Sequence, residues 1–303
     1  MLKYAVGLLL LVTIGVLYSK YQDKHNSMND ARKYKLVQQF LLKNEPGFKS
    51  KPIIWIFNER HTNKPYVETC IESIVKYCGD DFNICLIDEK SFVKLLPNWN
   101  VQVEKLSNPV KKHICFLGLT KILHHYGGVL IPNSVVLKKP FMPVYRSSLI
   151  NKNIFTCEMV KRVHADHATD FFPGAQIMGC IRDSPEMNEL SVYVEKLISE
   201  DSTSEMDFLG QVQRWMNENK DGKVYVLSGR VMGTMDKYSD PVLIDHLMGA
   251  SFIEFSDDMV GIYIPQSELH KRTKYNWFVE LSQKEIYNAD IIIAKHMLVA
   301  VSQ

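Results

Sequence analysis

The sequence predicts an α/β fold whose central sheet is mostly parallel, and two observations carry this prediction. Two short, continuous apolar runs, KPIIWIF at residues 51–57 and NICLID at residues 83–88, are typical of strands that are buried on both faces. The stretch between them repeats apolar side chains at helical spacing: Val67, Cys70, Ile71, Ile74 and Val75. A strand, a helix and a strand in this order form a βαβ unit, which predicts a parallel sheet with helices on its faces.

The next elements surround a break in the β pattern. A predicted helix over residues 110–125 ends at Gly127 and Gly128, because glycine allows the left-handed turn at a helix C-terminus. Two β-rich pieces follow, at residues 129–131 and 135–137. The residues between them are Pro132, Asn133 and Ser134, and since proline cannot donate to a ladder we expect a loop or bulge there, at the end of a central strand.

The rest of the chain continues the alternation of strands and helices. Asp183 or Ser184 is expected to open one of these helices as its N-cap. The later strands are predicted at 153–158, 176–180 and 223–227, and the later helices at 185–199, 208–217 and 284–301.

Composition limits the class of protein. The chain has 303 residues, of which 46% are hydrophobic and 23% charged, which is typical of a globular protein and excludes a disordered one. Lys and Arg number 36 against 34 Asp and Glu, so no basic excess favours a nucleic-acid partner. Six cysteines without a C-x-x-C pair exclude a standard structural zinc site, and we expect most of them to be buried as small hydrophobic residues.

The N-terminus predicts a membrane anchor. Residues 4–18 carry no charge and are dominated by Leu, Val and Ile, with Tyr4 and Tyr18 at the positions of interfacial aromatics. We predict an uncleaved single-pass anchor over residues 1–20, a stem over 21–50 and one folded domain over 51–303 on the lumenal or outer side. A cleaved signal peptide is the alternative, because the apolar run is shorter than the roughly 20 residues that span a bilayer.

The order of these segments resembles a family of sugar transferases. PIIWIF, CIESIVKYC, FNICLIDE, LHHYGGV and KKPF follow one another between residues 52 and 141 as in the capsular-polysaccharide and mannosyl/galactosyl transferases, and the likeness extends weakly to about residue 190. The sequence also resembles the sugar-transferase-like open reading frames of large DNA viruses. The resemblance implies a single nucleotide-sugar transferase domain of the GT-A kind behind a membrane anchor. It implies donor contacts at Phe57, Asn58 and Asp88, although Asp88 can equally cap a turn.

Two motifs of that family are replaced in this chain. Where the family has D-x-D, whose carboxylates hold a divalent cation against the diphosphate, this chain has Pro132, Asn133 and Ser134. Because hard cations require anionic oxygen ligands, we expect no divalent metal and no other cofactor there, and only Asn133 and Ser134 remain as polar donor contacts. The family's S-D-x-x-R, which contacts the nucleotide, corresponds to the apolar Cys115, Phe116 and Leu119.

Positive side chains can replace a metal as the partner of a diphosphate, and two basic clusters have the right composition. One contains Lys161 and Arg162, with His164 and His167 after them. The other contains Lys271 and Arg272, flanked by His270 and Lys274. We interpret each either as a donor-binding clamp or as a solvated basic loop.

The catalytic residues are the least determined by the sequence. Asp166 and Asp207 are candidates for a general base, and N-capping of a helix is the competing role for Asp207. The stretch HADHATD, with His164, Asp166, His167 and Asp170, offers metal donors, but such residues occur readily in loops and we do not assign a metal site to it.

The predicted function is therefore that of a membrane-anchored, glycosyltransferase-like protein without the usual metal site. Its expected partners are a nucleotide-sugar donor, a glycan or protein acceptor and, through the N-terminus, a membrane. The alternative is an inactive pseudoenzyme that keeps the fold and serves as a tethered binding or scaffold module.

Overall fold

A six-stranded sheet forms the centre of the folded chain. The computed structural model describes residues 51–58, 64–162, 169–200 and 204–302, so the predicted anchor and stem lie outside the described residues. No helix in these ranges is long and apolar enough to cross a membrane. The strands are β1 (Ile53–Phe57), β2 (Asn83–Ile87), β3 (Gly128–Leu130), β5 (Ile154–Arg162), β6 (Thr169–Cys180) and β7 (Val224–Leu227).

The sheet is mixed and mostly parallel, as the sequence predicts. Its strand order is β2-β1-β3-β6-β5-β7, and β6 alone runs against its two neighbours. The chain passes from β1 to β2 on one side and then to β3 on the other side of β1. The order of strands therefore reverses between β1 and β3, the kind of place where open α/β sheets bind their ligands.

One face of the sheet is covered by a helix and a small second sheet. The helix is α1 (Pro65–Cys78), and the small sheet pairs β4 (Val135–Leu137) with β8 (Gly261–Tyr263) in antiparallel register. Ser73 joins the two layers, because its hydroxyl accepts a hydrogen bond from the backbone N–H of Leu137 at 2.9 Å. Ile54, Ile56 and Ile131 are fully buried in the core beneath α1.

The other face carries three longer helices. The first, α3 (Val110–Tyr126), ends at Gly127 with φ of +69°, and Ser184 is the N-cap of the second, α5 (Pro185–Ser199), as predicted. The third is α6 (Glu205–Glu218). The shorter helices of the described ranges are α2 (Ser91–Leu95), α4 (Met142–Ser148), α7 (Ile244–Leu247), α8 (Gln266–Lys271), α9 (Asn276–Val279) and α10 (Gln283–Asn288).

The C-terminal segment differs from the prediction. The single helix expected over residues 284–301 is two helices, α10 and α11 (Ile292–Ser302), and Ala289 between them has an extended backbone. The break follows from Asn288 and Asp290, since both residue types favour turns over helix interiors. The sequence prediction of buried cysteines is confirmed, because all six cysteines are buried.

Candidate functional site

The candidate site lies at the carboxyl edge of the sheet, which we define as the edge where β1, β2, β3, β5 and β7 end. Asn58 follows β1, Asp88 follows β2, and the loop of Pro132, Asn133 and Ser134 follows β3. These strands are neighbours, so the structure brings the predicted polar residues to one edge at the reversal of strand order.

The end of β1 is held by its neighbours and leaves one polar atom without a partner. Phe57 stacks on Phe92 of α2 with ring centroids 5.8 Å apart, and the N–H of Asn58 donates to the carbonyl of Ile87 at 2.7 Å. The Oδ1 atom of Asn58 is buried and receives no hydrogen bond from the described residues. Leaving such an oxygen unpaired costs about 1–3 kcal/mol, which makes it a candidate ligand contact.

Asp88 performs the capping role that the sequence left open. Its Oδ1 accepts hydrogen bonds from the N–H of Ser91 at 3.1 Å and from the Ser91 hydroxyl at 2.7 Å, at the start of α2. The next residue, Glu89, forms an ion pair with Lys111 of α3 at 2.6 Å. The acidic groups after β2 therefore help to fix α2 and α3 beside the edge.

The loop after β3 does not fit a divalent cation. Ser134 is 1% exposed, and its hydroxyl donates to the carbonyl of Ile264 at 2.9 Å. Asn133 is 4% exposed and supplies only a neutral amide. With neither a carboxylate nor a free hydroxyl, the loop lacks the anionic oxygens that such a cation needs. Among the described residues, no group of three or more His, Cys, Asp or Glu side chains is arranged to hold a metal ion.

The apolar replacements in α3 contribute to the core. Cys115 and Leu119 are buried, and Phe116 meets Phe208 of α6 edge to face with centroids 6.1 Å apart. Phe208 also stacks on His113 at 3.9 Å. The residues that the sequence resemblance aligns with a nucleotide-contacting motif are thus part of a packed contact between two helices.

The first basic cluster begins inside a strand. The sequence placed Lys161 and Arg162 in a loop after a strand ending at residue 158, and this boundary was wrong. β5 continues to Arg162, where Lys161 pairs with Asp170 and Arg162 with Thr169 of β6. Since β5 pairs with β7 only as far as Cys157, this β5–β6 hairpin extends beyond the carboxyl edge.

The second basic cluster reaches the same edge from β8. β8 runs antiparallel to β4, and the N–H of Ile264, directly after β8, donates a hydrogen bond to the carbonyl of Ser134. The helix α8, which follows Ile264 in the chain, therefore begins beside the loop after β3. Lys271 is exposed at the end of this helix. Arg272 instead pairs with Asp245 and with Glu268, so its charge is compensated within the protein.

A buried tyrosine connects α8 to the start of α1. The hydroxyl of Tyr66 lies 2.8 Å from Nε2 of His270 and accepts a hydrogen bond from the amide of Gln266 at 2.9 Å. Burial raises the pKa of Tyr66 well above its usual value, so this hydroxyl remains protonated. The contact fixes α8 against the helix that follows β1.

The candidate bases and the histidine cluster are only partly described. His164, Asp166 and His167 lie outside the described residues, and Asp170 is exposed at the start of β6. Asp207 belongs to the first turn of α6, directly before Phe208. Since Phe208 packs on the N-terminal half of α3, the backbone of Asp207 lies towards the carboxyl edge.

Two polar residues near this edge escaped the sequence analysis. Glu158 of β5 is half-buried, and its carboxylate accepts a hydrogen bond from the N–H of Gly229 at 3.1 Å. Gln176 of β6 is half-buried with its Oε1 buried and without a donor from the described residues. A single Glu or Gln inside a β-rich run belongs to no recognisable sequence motif. Only the pairing of the strands shows that these two residues lie near the carboxyl edge.

Comparison with known proteins gives fold similarity at low sequence identity. No protein-family model and no curated protein sequence matches the chain. The similar solved structures include a glycosyltransferase involved in the glycosylation of the major capsid of PBCV-1, at 11% identity and a TM-score of 0.41, covering 71% of this chain and 94% of that one. Mouse xyloside xylosyltransferase 1 has 11% identity and a TM-score of 0.37, covering 60% of this chain and 86% of that one.

A third similar structure is the bifunctional glycosyltransferase WbbM, at 12% identity and a TM-score of 0.46. The match covers 86% of this chain and 51% of WbbM, so this chain spans about half its length. All three proteins are glycosyltransferases.

Proposed function

We propose that this chain is a membrane-anchored glycosyltransferase that binds a nucleotide-sugar donor at the carboxyl edge without a divalent metal. The observation that carries the proposal is the meeting of Asn58, Asp88 and the loop of residues 132–134 at the reversal of strand order. The resemblance of residues 52–141 to sugar transferases supports the choice of ligand.

The proposed reaction is transfer of a glycosyl group. The bond between the anomeric carbon and the diphosphate oxygen breaks, and its electron pair leaves with the nucleoside diphosphate. A hydroxyl oxygen of a glycan or protein acceptor forms the new bond to that carbon, and a base takes the hydroxyl proton. Asp166 and Asp207 are our candidates for the base.

The leaving diphosphate requires compensation of its charge. We assign this role to Lys161, Arg162 and Lys271, because cationic side chains can stabilise a developing phosphate charge in place of a metal. Arg272 is assigned to positioning, since two carboxylates already neutralise it. Phe57, Asn58, Asp88 and Asn133 are assigned to donor contacts, with Ser134 holding the loop in place.

The N-terminal run of residues 4–18 supports the membrane part of the proposal. In this arrangement residues 1–20 anchor the protein, residues 21–50 form a stem, and the catalytic domain lies on the lumenal or outer side.

Thermal unfolding of the full-length chain against a panel of sugar nucleotides, with and without manganese, tests the proposal. A ligand that binds the native state at 100 times its dissociation constant adds about 2.7 kcal/mol of stability. For a domain of this size the expected rise in Tm is about 5–10 °C. The rise should be the same without manganese, and no rise with any sugar nucleotide would contradict the proposal.

Release of the nucleoside diphosphate separates an enzyme from the inactive binding module. Time-dependent release from the sugar nucleotide that gives the largest shift supports the transferase. Binding without any release, with acceptor glycans present, would favour the module.

A further inference from the structure

A bulge in β6 sets the position of Gln176. Thr156 of β5 faces Met178, but the next residue, Cys157, faces Gly174. Residues 175–177 consequently have no ladder partner in β5, and only the side chain of Thr156 bridges the bulge, with its hydroxyl 3.3 Å from the carbonyl of Ile177. Bulges of this kind redirect side chains and are frequent beside active sites, and Gln176 is the polar residue of this one.

Gly174 makes room for the Gln176 amide. A Cβ atom at position 174 would lie 2.7 Å from Oε1 of Gln176 and closer still to Cγ of Met159. Met159 belongs to the core between the sheet and α1, so the amide oxygen projects to that face. Any side chain at position 174 would displace the amide.

Two other carboxamides, Asn58 and Asn133, follow the ends of β1 and β3 close to the level of Gln176. Leu130 pairs with both Trp55 and Met178, so Phe57, Pro132 and Gln176 are each two residues beyond this row in the direction of the carboxyl edge. Asn58 and Asn133 are each one residue further towards the edge. Continuing the two-residue alternation of β1, Asn58 falls on the same face as the buried Ile56, and Asn133 is buried in the loop after β3.

These three residues, Asn58, Asn133 and Gln176, form what we call the amide row. The amide oxygens of Asn58 and Gln176 are buried without donors from the described residues. Both side chains are half-buried, so a small ligand can reach the two amides from the carboxyl edge. Unpaired buried acceptors of this kind require hydrogen-bond donors from elsewhere.

We infer that the amide row recognises the hydroxyl groups of the donor sugar, an inference that rests on the proposed function. Carboxamides offer both a donor and an acceptor, as hydroxyl groups do, and they carry no charge. The amide row therefore contributes to sugar specificity, whereas the cationic residues bind the diphosphate. Gln176 is the specificity-determining residue that this assignment adds.

Calorimetric titration of the full-length chain distinguishes the sugar from the nucleotide. The titrants are UDP-glucose, UDP-galactose, GDP-mannose, and the diphosphates UDP and GDP alone. Gln176→Leu keeps the size of the side chain and removes the amide. We expect it to weaken binding of the preferred sugar nucleotide about 5–10-fold and to change the affinity for the bare diphosphate less than twofold.

Two further variants complete the test. Gly174→Ala should also weaken sugar-nucleotide binding, because its Cβ displaces the same amide together with Met159. Gln102→Leu, the same change at an exposed position, should leave both affinities unchanged. Sugar-nucleotide binding by Gln176→Leu equal to that of the unmodified chain, or an equal loss for sugar nucleotide and diphosphate, overturns the inference alone. Failure of the unmodified chain to bind any sugar nucleotide overturns the proposed function and this inference together.

Discussion

Ser134 and Ile264 are joined by two hydrogen bonds. The Ser134 hydroxyl donates to the Ile264 carbonyl at 2.9 Å, and the Ile264 N–H donates to the Ser134 carbonyl at 2.9 Å. The loop after β3 is thereby fastened to the end of β8. The position that the sequence resemblance aligns with a metal-binding carboxylate of the sugar transferases is, in this chain, a buried contact of the fold.

This contact predicts that restoring a carboxylate does not restore a metal site. Ser134→Asp would bury a charge without a cationic partner and should lower the free energy of unfolding by about 2–4 kcal/mol. Urea unfolding with and without manganese measures this effect. The exposed Ser251→Asp is the matched control and should change stability little. A manganese-dependent gain in stability of Ser134→Asp would contradict the account.

The low pKa of His296 should make the free energy of unfolding depend on pH. Burial, and then the charge of Lys138, lower its pKa from 6.5 to about 4. Nδ1 of His296 lies 3.0 Å from the Lys138 ammonium, which donates to the neutral ring. As the pH falls from about 6.5 to 4, the unfolded chain binds a proton that the native chain does not, so this residue contributes a loss of stability over that window.

Comparison of His296→Gln with the unmodified chain isolates this contribution. Glutamine cannot titrate but can still accept the hydrogen bond from Lys138. After allowance for partial solvent exposure, the unmodified chain should lose about 2 kcal/mol more than the variant between pH 7 and pH 4. Urea unfolding at both pH values measures the difference, and equal losses in the two proteins would show that His296 titrates normally.

Because its cysteines are buried, the native protein should be unreactive towards thiol reagents. Burial raises the pKa of Cys78 to about 11 and that of Cys85 to about 12, so almost no thiolate exists at neutral pH. A thiol reagent should modify none of the six cysteines in the native chain and all six after unfolding in urea. Rapid labelling of any cysteine in the folded protein would disprove this packing.

Substitutions of the adjacent residues Lys271 and Arg272 should have opposite effects on donor binding and on stability. Arg272→Ala removes an ion pair with Asp245, which keeps Lys274 and Tyr275 as partners, and an ion pair with Glu268. Because these groups are partly exposed, the change should lower the unfolding free energy by about 1 kcal/mol with little effect on donor affinity. Lys271→Ala should weaken donor binding and leave stability unchanged. Calorimetric titration and urea unfolding of both variants measure the two effects. The reverse pattern would exchange their assigned roles.

Much of the sheet could be predicted from local pattern. The continuous apolar runs gave β1 and β2, and Pro132 correctly marked the end of β3. The extent of β5 was missed because Lys161 and Arg162 break the apolar pattern, whereas their backbone pairs with β6. Pairing between distant segments outweighs local composition in such strands.

The site was less predictable than the fold because its features depend on tertiary contacts. Arg272 looks like a free cation until Asp245, 27 residues away, is placed beside it. The position of the Gln176 side chain depends on the bulge of β6 and on the space at Gly174. Neither relation leaves a periodic signal in the sequence.

The central claim is that this chain binds a nucleotide sugar without a divalent metal. Calorimetric titration of the full-length protein with the sugar nucleotide that most raises its Tm, in EDTA and in manganese, tests it most directly. The account predicts saturable binding at one site with the same dissociation constant in both buffers. Binding that requires manganese, or no binding in either buffer, would contradict it.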